Sequence, residues 1–429
     1  MFHKKILFCL ALLFCITGSL QAARSAQFHQ KYQLKQVVVL SRHNIRSPLS
    51  SNGSALAQLT PHAWFAWTSG PSELSLLGGE LETLMGQYFR KWLVSEQLIT
   101  ENYIPKAKEM RFYANSMQRT IATTQYFSSG MLPVANVRIE HRYAPSKMDP
   151  MFEPKFTFMT VPFQQLALAQ IREMGGEKGL QGIGEKLQPQ YTVLETVLDL
   201  ANSEKAKTEG LTHFRNDDLK IILENNKEPN MKGSFKYANS ASDAFILQYY
   251  EEPDPVKAAF GHEITAQQWE LIASVKDVYG DVLFSAPAVA VNVANPLLKE
   301  INKEIANKHR KFTFLCGHDS NLASVLAALD TEPYELPNSI EKKTPIGSKL
   351  AFSKWEDING NQYISVDLIY QTTEQLRNRT MLSLDTPPAV FPLQLKGLTQ
   401  NADGLYKLSD IQNRFKKAID EYKTLKKLK

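Results

Sequence analysis

Four consecutive apolar residues, Val37 to Leu40, give way at Ser41 to the polar run Ser41-Arg42-His43-Asn44, and the same abrupt change recurs twice along the chain. The run from Arg111 to Ala114 breaks at Asn115, and the run from Lys311 to Cys316 breaks at Gly317. Short β-rich runs of this kind, each followed by a loop and then by helical spacing, predict βα units, an α/β fold and a largely parallel sheet. Ligands bind beyond the carboxyl ends of such strands, so the three loops are expected to converge. Helical periodicity is clearest between Gly78 and Leu98. There Leu81, Leu84, Met85, Tyr88, Phe89, Trp92 and Leu93 fall at the i, i+3, i+4, i+7 spacing of a helix that buries one stripe.

From about Pro145 to Ala286 the β-rich runs thin and helical patterns dominate, as in Ser242 to Tyr250 and Ala266 to Tyr279, with a polar break at Glu224 to Pro229. Residues 145–286 therefore read as a mostly helical cap inserted into an α/β domain made of residues 23–144 and 287–429. Beyond the cap, Leu350 to Trp355 and Tyr363 to Tyr370, joined around Asn359-Gly360-Asn361, read as a hairpin.

The amino end departs from this pattern. Lys4 and Lys5 precede an apolar run from Ile6 to Ile16, then Gly18, Ser19, Ala22 and Ala23, which reads as a secretory signal peptide over residues 1–22. That run is too short to span a bilayer, and no later stretch reaches roughly 18 uninterrupted apolar residues, so no membrane attachment is expected after cleavage. Phe14 is too bulky for lipoprotein processing at Cys15. Cys9 and Cys15 leave with the leader, so Cys316 stands alone and no intrachain disulfide is expected. Its place at the end of an apolar run makes it a small buried packing residue.

With 429 residues, 43% hydrophobic and 22% charged, the chain is long enough for two packed cores. It carries 49 Lys and Arg against 44 Asp and Glu, and loss of Lys4 and Lys5 leaves too small a positive surplus to suggest a nucleic-acid partner. The basic ending from Lys423 to Lys429 reads as a solvated, frayed terminus.

The chemistry lies in the three loops. Arg42 and Arg46 flank His43; a guanidinium fork matches phosphate oxygens two at a time, so a pair of them suits a dianion. A histidine between two such cations should remain neutral, the nucleophilic state. In the second loop Ser116 is expected to cap a helix with Arg119 in its first turn, where a cation is favourable only beside a bound anion. In the third, Asp319 can protonate a departing ester oxygen and His318 can donate to phosphoryl oxygens. Taken singly, each has an ordinary alternative: a basic surface loop, an Arg119 paired with a carboxylate, an Asp319 that merely caps a helix. His62, His141, His213, His262 and His309 are scattered without ligand spacing, so neither metal nor other cofactor is expected.

Together, Arg42-His43-Asn44-Ile45-Arg46-Ser47-Pro48 and His318-Asp319, with Arg119 between them, resemble the signature of the histidine acid phosphatases, Arg-His-Gly-x-Arg-x-Pro and a later His-Asp pair. Asn44 stands where most members have glycine, and Asn is the residue that best tolerates the left-handed conformations glycine serves. The similarity is greatest to the branch of bacterial periplasmic glucose-1-phosphatases, through Asn52-Gly53-Ser54, Tyr113 to Thr120, Met148-Asp149-Pro150, Asp243 to Glu251, Thr344-Pro345-Ile346-Gly347 and Glu374-Gln375-Leu376-Arg377-Asn378. The family's disulfide pattern is missing.

The resemblance implies a phosphoglycerate-mutase-like sheet flanked by helices. It also implies a periplasmic phosphatase acting on sugar phosphates through a phosphohistidine. His43 would be the nucleophile and Asp319 the proton donor. Arg42, Arg46, Arg119 and His318 would bind phosphate, and Glu251 would face the sugar. A phytase-like inositol-phosphate phosphatase is the nearest alternative, and a non-catalytic sugar-phosphate binding protein a more distant one. A small phosphate ester is the expected partner in each case.

Overall fold

The computed structural model describes residues 24–49 and 55–428. The expected leader with Cys9 and Cys15, the segment Asn52-Gly53-Ser54 and Lys429 lie outside the described residues. The strands, in chain order, are β1 (Tyr32–Arg42), β2 (Met110–Ala114), β3 (Ile139–Glu140), β4 (Lys220–Ile222), β5 (Asn230–Lys232), β6 (Phe312–Gly317), β7 (Lys349–Asp357), β8 (Gln362–Tyr370), β9 (Ala389–Pro392) and β10 (Tyr406–Lys407). All but β4 and β5 form one sheet, in the order β10-β8-β7-β1-β6-β2-β3 with β9 also on β8.

The sheet is mixed. Strands β1, β6, β2 and β3 run parallel, as expected for βα units, whereas β7 to β10 are antiparallel. The tight connection between β7 and β8, with Gly360 at a φ of 81°, leaves no room for the crossover a parallel pair needs. Val37 and Val39 face one side of the sheet and Val38 and Leu40 the other, following the two-residue alternation of a strand. Both sides are covered, which is why β1 reads as an unbroken apolar run rather than an alternating one.

On the side of Val37 and Val39 lie the helices Leu76–Ser95 and Gln118–Met131. They approach so closely that a Cβ on Gly86 would stand 2.2 Å from the Phe127 carbonyl oxygen, so glycine is required there. Cys316 is fully buried on this side with its thiol free, and burial pushes its pKa up to about 12. The other side packs helices Pro287–Ala306, Asp319–Ala328 and Leu408–Leu425, and its apolar core continues into Ser234–Glu251 and Ala266–Phe284. The last helix runs to a buried Leu425, so the basic ending begins inside regular structure rather than in a frayed tail. Within the expected cap, β4 and β5 pair as a small antiparallel ribbon, and the polar break forms the connection between them.

Candidate active site

Register decides where the chemistry gathers. Arg42 on β1 lies opposite Gly317 on β6, and Cys316 on β6 opposite Ala114 on β2. Neighbouring strands are about 4.8 Å apart, so the three loops leave one sheet edge side by side within roughly 10 Å.

His43 is 3% exposed, and its Nδ1 lies 2.8 Å from the Asn44 carbonyl oxygen. A carbonyl only accepts, so Nδ1 carries the proton and Nε2 keeps its lone pair. Burial, reinforced by Arg119, Arg46, His318 and Arg42, holds the imidazole pKa well below its usual value, which keeps the ring neutral.

His318, whose ring centroid is 5.5 Å from that of His43, has its tautomer set by Asn115. The Asn115 Oδ1 accepts from the backbone N–H groups of Ser116 and Asp149, each at 2.8 Å, so its Nδ2 must be the group 2.7 Å from His318 Nε2. Nε2 therefore accepts and Nδ1 carries the proton, with an Arg119 terminal nitrogen, itself only a donor, 3.5 Å away. Asn115, the first residue beyond β2, had no expected role; a lone asparagine after a strand carries no signal of its own.

Three arginines surround the imidazoles, each nine-tenths or more buried. Arg42 donates through Nη1 to Glu341 Oε1 and to the Thr344 carbonyl, both at 2.6 Å. Arg46 donates to Asp243 Oδ2 at 3.0 Å. Arg119 has no carboxylate partner among the described residues, and burial followed by repulsion from Arg46 lowers its pKa to about 10. The Nε–H groups of all three have no protein acceptor. Buried cations with unused donors are costly unless an anion meets them.

Asp319 opens helix Asp319–Ala328, with His318 at its N-cap position. Its Oδ1 accepts from the Ser320 N–H at 2.9 Å. Its Oδ2 is hydrogen-bonded by Lys276 and lies 3.6 Å from Arg42 Nη2. Although burial opposes ionisation, Lys276 and Arg42 hold its pKa well below the usual carboxylate range. Arg46, Asp243, Lys276, Asp277, Asp281, Asp319 and Lys343 border the cleft above this cluster. Glu228, from the turn between β4 and β5, adds a carboxyl whose pKa is raised by burial and by the charges of Glu153 and Asp319.

Six of the seven expected site residues thus come together, and two expectations change. Glu251 does not border the cleft; its Oε2 accepts from Ser75 Oγ at 3.0 Å, at the N-cap of helix Leu76–Ser95. Helix Ser234–Glu251 meets the site at Asp243, and eight residues of helix carry Glu251 about 12 Å further along. Ser116 is not the cap of helix Gln118–Met131 either: Met117 holds that position, while Ser116 Oγ accepts from the Tyr143 N–H at 3.0 Å.

Asn44 does not mimic glycine, for its φ is not positive. Its buried amide donates to Glu82 at 2.8 Å, and its Oδ1 accepts from the Ile45 N–H at 2.9 Å. Gly347, with a φ of 67°, is the residue that makes room; a Cβ there would stand 2.7 Å from Asn44 Nδ2. Among the described residues, no three His, Cys, Asp or Glu side chains are grouped to hold a metal ion.

Known proteins carry the same framework. Residues 33–371 match the histidine phosphatase superfamily (branch 2). Glucose-1-phosphatase of Providencia rettgeri is 39% identical over 90% of this chain and 92% of its own length. Glucose-1-phosphatase of Salmonella typhimurium is 37% identical over 96% and 98%. The solved phytase of Citrobacter braakii superposes with a TM-score of 0.80 at 27% identity, covering 91% of this chain and 98% of that one. With that agreement across nearly the whole described length, the chain belongs to branch 2 of the histidine phosphatase superfamily and is a phosphatase acting on phosphate esters.

Proposed function

We propose that this phosphatase hydrolyses sugar phosphates such as glucose 1-phosphate in the periplasm, through a phosphohistidine on His43. Arg119 carries the reading: a buried guanidinium with no carboxylate partner among the described residues, beside the unprotonated Nε2 of one histidine and the Nδ1–H of another. A phosphate supplies the missing anion. Arg42, Arg46, Arg119 and His318 hold its oxygens while His43 Nε2 attacks phosphorus opposite the ester oxygen. Positioning and fixed charge do most of the work in such transfers. Asp319 hands a proton to the departing oxygen, then takes one from the water that cleaves the phosphohistidine. The leader expected over residues 1–22, basic at Lys4 and Lys5 and then apolar, supports export, and residues 145–286 act as the cap that shapes the sugar side of the cleft.

The outer cleft favours a sugar monophosphate over an inositol polyphosphate. Asp277 and Asp281 stand on its wall beside Lys343, which faces Asp281, whereas Asp243 and Lys276 are spent on Arg46 and Asp319. Further phosphates on a substrate would meet carboxylates, while hydroxyls would find acceptors. Two of the named relatives are glucose-1-phosphatases, which agrees with this preference.

The test is phosphate release from glucose 1-phosphate and from phytate by the purified enzyme, with His43→Ala alongside. Preferred turnover of glucose 1-phosphate, its loss in the variant and an acid-labile phosphoenzyme in a rapid quench are expected. Preferred turnover of phytate overturns the substrate, and substantial activity in His43→Ala overturns the intermediate.

A further inference from the structure

Asp319 can hand on a proton only after receiving one, and everything that touches its carboxyl donates. Ser320 N–H occupies Oδ1, and Lys276 occupies Oδ2 with Arg42 close behind. The side chain of Lys276 is 13% exposed, borders the cleft and reaches across from helix Ala266–Phe284. Ammonium and carboxylate therefore share one hydrogen bond at the place where the ester oxygen departs. We infer that Lys276 is the proton source of the reaction, passing its proton through Asp319 to the leaving oxygen and recovering it from water; this rests on the phosphohistidine reading above.

The step balances. As Nε2 of His43 bonds to phosphorus and the P–O ester bond breaks, the alkoxide takes the proton of Asp319. That proton is the one Lys276 has passed to the ionised Asp319, so Lys276 is left as a neutral amine and Asp319 as a carboxylate again. Water then attacks the phosphohistidine, the P–N electron pair returns to Nε2, and the proton released passes through Asp319 back to Lys276. Inorganic phosphate leaves and every group regains its starting form.

Arg42, Arg46, Arg119 and the neutral ring of His43 face the pair from the loops beyond the strands. Asp243, from helix Ser234–Glu251, is engaged by Arg46, and Glu341 by Arg42. On the lysine's own helix, Asp277 accepts the Lys342 N–H at 2.8 Å, and Asp281 lies near Lys343 and Ser285. Glu228 faces the pair from the β4–β5 turn. A lysine is suited to this role and an arginine is not, because a guanidinium does not release its proton in proteins.

The experiment compares kcat/KM for 4-nitrophenyl phosphate, whose phenolate departs without a proton, with that for glucose 1-phosphate, whose alkoxide needs one. Lys276→Met and Lys276→Arg are both expected to lose about 100-fold or more on the sugar phosphate near neutral pH, the usual scale of general-acid catalysis. Both should stay within a few-fold of wild type on the aryl ester, which also reports that they fold. In Lys276→Met the sugar-phosphate rate should recover as the pH falls and Asp319 takes a proton from solvent. Equal losses on the two esters, or full rescue by arginine, overturn the inference and leave Lys276 an electrostatic support. An unmodified enzyme that releases phosphate from neither ester, or retains activity as His43→Ala, overturns the underlying mechanism instead.

Discussion

Replacing Asn44 by glycine should destabilise this protein rather than leave it unchanged. The amide of Asn44 is 1% exposed and donates to a carboxylate, Glu82, that is itself fully buried. Among the described residues Glu82 has one other partner, Lys349, at 2.8 Å, and Lys349 also donates to the Gly347 carbonyl at 2.7 Å. A hydrogen bond to a charged group contributes about 1.5–3 kcal/mol. The Ile45 N–H, left buried without its acceptor, costs about 1 kcal/mol more. Glycine's extra freedom in the unfolded chain costs about 0.5–1 kcal/mol. The expected loss is therefore roughly 3–5 kcal/mol.

Urea unfolding followed by tryptophan fluorescence measures it, and a companion series in acid supplies the check on cause. Burial raises the Glu82 pKa above its ordinary value, with Lys349 and Asn44 pulling it back. A carboxyl whose folded pKa is raised is ionised, and in need of the amide, only above that folded value. The penalty of Asn44→Gly should therefore be complete at high pH and shrink as the pH falls through the folded pKa of Glu82. A loss below about 1 kcal/mol near neutrality, or one that does not change with pH, would refute the reasoning.

Three further outcomes follow from the same geometry. The imidazole of His43 should remain neutral in NMR titrations well below pH 6.5, because burial and three guanidinium groups oppose its protonation, so activity should not decline between pH 7 and 6 for want of a free Nε2; a His43 transition near 6.5 contradicts this. Asn115→Leu frees the His318 tautomer and should weaken competitive inhibition by inorganic phosphate about tenfold, the scale of one hydrogen bond to a charged ligand, and an unchanged inhibition constant would remove Asn115 from the site. Lys349→Met leaves Glu82 buried without a counter-charge and should cost about 3–5 kcal/mol, much of it restored by adding Glu82→Gln; a double variant no more stable than the single one argues against the pair.

What could be read in advance follows from which interactions are local. The three parallel strands and their loops were legible because each is an apolar run ending abruptly in polar residues, and helix Leu76–Ser95 because its stripe repeats over more than five turns. The β7–β8 hairpin announced itself through Asn359-Gly360. Strands β9 and β10, with four and two residues, are too short to carry a period. The same holds for the three-residue strands of the ribbon in the expected cap. At the site, the residues expected to touch phosphate stand in contiguous motifs, whereas their supports do not. Arg46 and Asp243 are 197 positions apart, Arg42 and Glu341 299, and no periodicity links them. Glu251 stands apart for a related reason: a segment resemblance spans a whole helix, whereas Asn239, Ser240 and Asp243 are the residues of that helix that line the cleft.

Those distant carboxylates also explain how a protein tolerates so many buried cations. An ionised group taken from water is strongly destabilising unless paired, and here Glu341, Asp243 and Asp319 each neutralise one of Arg42, Arg46 and Lys276. Each carboxylate is delivered by a different element: the loop before β7, a helix of the expected cap, and the helix after β6. The site is therefore assembled only when all of these have docked. Arg119 is left uncompensated, and so the one cation whose burial remains costly in the free enzyme is the one that gains most when a phosphate arrives. Full compensation would have left a stable but indifferent pocket, and no compensation would have left a fold opposed by its own charge. The same logic makes Lys276 distinct from the arginines: its partner is the group that must exchange a proton, so the ion pair that lowers the cost of burial is also the one that the reaction transiently undoes.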